Sequence, residues 1–401
     1  MSDAMPVRVV VCDDDVARAA KWSRRIQEVD DRLEVSALSG DDFGRTVGQL
    51  KARKIRAKRQ GASSAEIMGE ALGIDTADVL VVDSDLTPDA VTDVEDGSAV
   101  MEHLVGELGG EVAHLARCYS DAGAIVVVNQ KWRHRAFDLT MRDIADEVAD
   151  VYVSEDDIDN PALWSPLAPN PEGFRPWHWP DLRALPGQIA DVLGRVDPET
   201  PVRDLLDITE GDLNMLTGRQ LEALGLEDLT TGTTLTAVAQ DSAYGLRLKE
   251  GASPQQKVRV AVFGLRRWLD REVLNAQNVF VDMPHLLVRQ PWRVPGREDM
   301  DTWNAAAAWW DLSGAAVDAP VVAGASCLLG RPVWRWADVS ALGPGGARSR
   351  REDPVFCEDT SRFESADHAK DYFSDVDGPW AQRYVAEIAD VDYHPRRRLL
   401  V

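Results

Sequence analysis

Val7 to Cys12 (VRVVVC) is a β-branched apolar run that stops at three consecutive acids, Asp13, Asp14 and Asp15. Val16, Ala19, Ala20, Trp22 and Ile26 then recur at helical spacing among Arg18, Lys21, Arg24 and Arg25. This pattern predicts a strand, an acidic loop and a helix. Leu33 to Leu38 predicts a second strand, and residues 79 to 82 (VLVV) a third that ends on Asp83. Gly97 to Leu108 has a helical pattern, Ala124 to Val128 reads as a fourth buried strand, and Val148 to Val153 as a weaker fifth. Short apolar runs alternating with helical segments predict a parallel sheet covered on both faces. Ligands of such sheets gather at the carboxyl ends of the strands. Asp13, Asp14 and Asp83 all fall there.

The expected architecture is therefore a doubly wound, five-stranded parallel α/β unit over residues 5–160, followed by a mainly α-helical second domain over 199–401. Residues 39–78 and 84–96 read as insertions in the first unit. Residues 161–198 read as a Pro/Trp-rich linker whose Trp164, Trp177 and Trp179 suit packing on a neighbouring surface. In the second half, Thr209 is a candidate helix N-cap. Val258, Val262, Leu265, Trp268, Leu269 and Val273 mark one face of a helix over Ser253 to Asn275, and Met300 to Leu312 is Ala- and Trp-rich.

Charge narrows the function. The chain has 401 residues and a formal net charge of -24, from 44 Lys+Arg against 68 Asp+Glu. Such a surface repels phosphate backbones, which argues against general nucleic-acid binding. No apolar segment approaches the roughly 18 residues of a bilayer span, and the first residues lack a leader pattern, so a soluble, cytoplasmic protein is expected. Four dispersed cysteines suit a reducing compartment. The seven histidines form no metal-ligand spacing. Residues 51 to 59 (KARKIRAKR) are a basic island. Lys51, Lys54 and Lys58 would share a helix face there, as a candidate anion or partner patch.

The order of apolar strand and Asp13-Asp14-Asp15, then apolar strand and Asp83, resembles the receiver domain of response regulators. That resemblance implies a flavodoxin-like fold. It also implies a Mg²⁺ ion held by Asp13, Asp14 and Asp83, and Asp83 as phosphoacceptor from a sensor histidine kinase. Hard divalent cations want oxygen ligands, and carboxylates converging from neighbouring strand ends supply them. Two departures stand out. Asn129 follows the fourth strand where the family has Thr or Ser, and Ser154 or Glu155 follows the fifth where it has Lys. Asn129, Asp85 and Lys131 are candidates to stand around the pocket, Lys131 either as a substitute cation or as a surface lysine.

Two function classes follow. One is a signalling protein in which the receiver-like unit controls a contact between a protein partner, a kinase or an effector, and the helical module, with a non-phosphorylated scaffold as a variant. The other is a Mg²⁺-dependent phosphatase, because Asp83-Ser84-Asp85-Leu86-Thr87 is similar to the DxDxT signature of haloacid dehalogenase-like enzymes, with Asp83 as nucleophile and Asp85 as general acid/base. No later GDxxxD-like acidic pair accompanies it.

Overall fold

The structure is a computed structural model that describes residues 6–59, 63–86, 109–129, 136–137, 149–164, 176–224, 232–241, 254–308, 317–342, 353–372, 380, 382–387, 389 and 392–393. Five strands, β1 (Val7–Asp13), β2 (Leu33–Ser39), β3 (Val79–Asp83), β4 (Ala124–Asn129) and β5 (Val151–Ser154), form one sheet in the order β2-β1-β3-β4-β5. Every pairing in it is parallel. β3 and β4 are buried along their whole length, as expected of central strands in a sheet covered on both faces.

Among the described residues, three helices of eleven residues or more run between the strands. Helix α1 (Val16–Gln27) starts at Asp15, whose side chain accepts from the backbone N–H groups of Ala17 and Arg18. Its Trp22 and Ile26 pack on Val9, Val11, Val79 and Val81 on one face. Helix α2 (Gly40–Ala57) covers the other face through Phe43, Val47 and Leu50, together with Val112 and Ala116 of α3 (Gly109–Tyr119). The stretch read as an insertion over 39–78 thus supplies the crossover helix α2. Most of 84–96, Lys131 and the helix pattern at 97–108 lie outside the described residues.

The described parts of the Pro/Trp-rich stretch, 161–164 and 176–198, are part of the wall. Trp164, Trp179, Leu182 and Leu185 are buried in the same cluster as β1, β3 and β4. Helix α4 (Leu185–Arg195) begins there and also presents Val192 to the core of the second half. That core is built on α5 (Pro254–Trp268), with Val258, Val262, Leu265 and Trp268 directed inward. Thr209 caps the short helix Glu210–Leu213 in a reciprocal capping box with Asp212. The expectation of a mainly helical second half did not anticipate a four-stranded sheet of three-residue strands. These are β6 (Val355–Cys357), β7 (Arg362–Glu364), β8 (Lys370–Tyr372) and β9 (Arg383–Val385), in the order β7-β6-β9-β8.

A buried ion network ties α5 to the parallel sheet. Asp150, just before β5, accepts from Arg117 of α3 (2.6 Å), from the Ile125 backbone N–H (2.6 Å) and from Arg266 of α5. Burial works to raise the Asp150 carboxyl, but the two guanidinium groups outweigh it and hold it below its ordinary value. The Arg117 guanidinium also lies 4.5 Å over the ring of Phe263. Removing this anion strands two buried cations. Asp150→Ala should therefore cost about 3–5 kcal/mol, read as a fall in the urea midpoint. Asp121→Ala, which removes a pair with Arg259 at a carboxylate 66 % exposed, should cost less than about 1 kcal/mol.

Candidate functional site

The carboxyl edge of the sheet concentrates acid. Asp13 ends β1 and Asp83 ends β3, and both are wholly buried. Asp14 follows Asp13, and one carboxylate oxygen from each of the three lies within 4.8 Å of the others. At such separations and an effective dielectric near 20, each pair of like charges would repel by about 3–4 kcal/mol. A cation placed among them offsets this repulsion.

Arg18, one turn into α1, provides that cation. Its Nε donates to Asp13 Oδ2 at 2.6 Å and its terminal nitrogen to Asp13 Oδ1 at 2.7 Å, a fork-on-carboxylate arrangement. The same terminal nitrogen stands 3.0 Å from Asp14 Oδ1 and 3.0 Å from Asp83 Oδ2. Burial pulls the guanidinium down, but the hydrogen bond and charge of Asp13, with Asp83 and Asp14, push it above its ordinary value. Asp13 Oδ1 also accepts from the Asp15 backbone N–H at 2.8 Å, which holds the loop in register with the helix cap. Arg18 further lies 5.9 Å over the Trp22 ring, so its stem and charge are fixed from both sides.

The rest of α1 continues this pattern. Glu155, at the position where the family resemblance leads one to look for lysine, turns toward α1. It accepts from Lys21 Nζ at 2.7 Å and from the Trp22 indole at 3.2 Å, and Arg25 stands 3.8 Å away. Arg25 then pairs with Asp159 at 2.7 Å. Ser154 is occupied with Asp157 at 2.8 Å. Among the described residues, the cations paired with these acids come from α1 and not from the loop after β5.

Of the other sequence-based candidates, Asn129 lies at the carboxyl end of the sheet. It is the last residue of β4, buried, and paired in register with Ser154, one strand away from Asp83. Asp85 is partly buried just beyond β3, outside the three-carboxylate cluster. Lys51, Lys54 and Lys58 lie on α2 and its C-cap, away from the pocket. Arg18 is the residue that pattern reading passed over. Its signal was the i, i+4 spacing from Asp14, which places a cation above the acid on the first turn.

The donor set suits a hard cation. Three carboxylates converging from two strand ends could hold a metal ion, but the Arg18 guanidinium is bonded to all three. Elsewhere, a second polar cluster joins residues far apart in sequence. His285 Nδ1 lies 2.7 Å from Asp282 and its Nε2 3.0 Å from Glu358, itself 3.2 Å from Arg383. It is buried beneath Phe356 and serves to anchor β6 and β9 to the helix at Met283–Arg289. No protein-family model matches the chain, and no curated protein matches it.

The pocket has a pH signature. Burial, with the neighbouring Asp13 carboxylate, raises Asp14 to about 6 against the pull of Arg18. A carboxyl raised by folding contributes stability fully below its ordinary range and loses it as pH rises through about 6. Urea midpoints of the wild-type chain should therefore carry a falling component between about pH 4 and pH 6. The difference between wild type and Asp14→Asn isolates it. Parallel pH profiles for the two proteins would contradict this placement of Asp14.

Proposed function

We propose that the chain is a response-regulator-like signalling protein whose receiver-like unit acts by protein contact, with its acidic pocket neutralised from within by Arg18. The strand order β2-β1-β3-β4-β5 is the flavodoxin-like order, in which ligands collect at the carboxyl edge. The three aspartates stand on that edge. The observation that carries the reading is the Arg18 guanidinium bonded to Asp13 and Asp14 and 3.0 Å from Asp83, where the resemblance places a divalent cation.

Two further features support it. Glu155 is committed to Lys21 and Trp22, so the pocket has no lysine from β5 to pair with a phosphorylated Asp83. A phosphoryl group on Asp83 would add charge beside Asp13 and Asp14, and Arg18 would have to serve all of them. The unit in this reading is a scaffold with a fixed pocket, and its partner is a protein, a kinase or an effector, in a cytoplasmic setting.

A second reading rests on the carboxylate spacing itself. If Arg18 swings out, Asp13, Asp14 and Asp83 would hold Mg²⁺, which offsets negative charge on phosphoryl oxygens when bound. Asp83 would then be the phosphoacceptor. For the DxDxT-like phosphatase, Asp83 would be the nucleophile and Asp85, partly buried two residues on, the general acid/base.

Acetyl phosphate or beryllofluoride with Mg²⁺, followed by intact-mass measurement and Mg²⁺ titration calorimetry, separates the readings. The scaffold predicts no adduct and no Mg²⁺ binding by the wild-type chain, with Mg²⁺ binding gained in Arg18→Ala. An adduct on the wild-type chain that Asp83→Asn abolishes would overturn it in favour of the second reading.

A further inference from the structure

The second distinctive charge feature lies at the opposite edge of the sheet. Helix α2 starts at Gly40, directly after the carboxyl end of β2, and spans 18 residues. That is about 27 Å of helix, enough to carry its C-terminus to the amino edge. Arg53 pins it there. It is 1 % exposed and grips Asp75 with two nitrogens (2.8 and 2.7 Å), while the same nitrogens donate to the backbone oxygens of Tyr119 and Glu70 and its Nε donates to that of Met68. The last turns of α2 are therefore a rigid platform.

What this platform presents outward is unusual for the chain. Lys54, Lys58 and Arg59 are exposed, and none of them makes an ion pair among the described residues. Lys51 flanks them, partly buried, one turn earlier. In their midst Ile55 is 60 % exposed, among the most exposed large apolar side chains of the described residues. The helix dipole favours cations near a C-terminus, which accounts for the sign of the charge. It gives no reason for an isoleucine at the centre.

We propose that this end of α2 is a docking surface for an acidic protein segment that carries an apolar side chain. The cations would pair with its carboxylates while Ile55 covers its apolar residue. The chain's net charge of -24 disfavours a long phosphodiester, whose charge extends over the whole surface. A short acidic segment feels mainly the charges within one Debye length, about 8 Å at physiological salt. A nucleic acid would also gain nothing from Ile55. This surface is remote from the Asp13, Asp14 and Asp83 pocket, so the proposal stands or falls separately from the function proposed above.

The test uses the full chain and three labelled probes in fluorescence anisotropy: a glutamate-rich peptide with leucine at every fourth position, the same peptide with leucine replaced by serine, and a single-stranded DNA. The expected result is binding of the leucine peptide that weakens with salt. Lys54→Glu/Lys58→Glu should weaken it by at least about tenfold, and Ile55→Ser by roughly fivefold, with circular dichroism unchanged. The serine peptide should bind the wild-type chain more weakly than the leucine peptide, by a similar factor. Absence of binding at low salt, affinity indifferent to these substitutions, or DNA bound as well as the peptide would overturn the proposal.

Discussion

Three carboxylates forced together at the end of two buried strands repel one another, and the Arg18 guanidinium stands among them as the offsetting cation. The rest of the carboxyl edge follows from this. Asp15 caps α1 through the backbone N–H groups of Ala17 and Arg18, which fixes the first turn so that Arg18 reaches back over the loop. With the helix so placed, Lys21 and Arg25 stand over Glu155 and Asp159. One amphipathic helix thus covers the apolar core with Trp22 and Ile26 and neutralises the acidic edge with its basic side. A substituent on the side chain of Asp83 would have to displace a multiply bonded guanidinium before it met a metal.

The same logic operates at the junction of the two halves, with the signs reversed. There Asp150 is an anion bonded to both Arg117 and Arg266, and its partners come from α3 and α5. Because Asp150 immediately precedes β5, the parallel sheet and the helical core share a charge that neither could bury alone. Phe263 enters the sheet-side cluster beside Val10 and Leu80, and Val192 of α4 joins the core of the second half.

The parallel sheet was legible because β1, β3 and β4 are short apolar runs that end on a polar residue: Asp13, Asp83 and Asn129 are the last residues of these strands. Asp13 and Asp83 were legible for the same reason. Arg18 was visible as a residue but not as a partner, because pattern reading places a helix face and not the direction a long side chain takes across the preceding loop. Glu155 was read as a replacement for a pocket lysine, whereas its contacts with Lys21 and Trp22 span more than a hundred residues and leave no local trace. The small sheet at 355–385 was missed since three-residue strands show no alternation to detect. His285 was set aside as dispersed, and its Glu358 partner is 73 positions away.

The central claim is that Arg18 is in the structure to neutralise the acidic edge, and a mutant cycle measures that directly. Unfolding free energies of Arg18→Ala would be determined in urea with a chelator present, once in the wild-type background and once with Asp13→Asn and Asp83→Asn. Neutralisation by Arg18 predicts a loss of about 3 kcal/mol in the first background and under about 1 kcal/mol in the second, since the charge to be neutralised is then mostly gone. An equal loss in both backgrounds, or no loss in either, would contradict it.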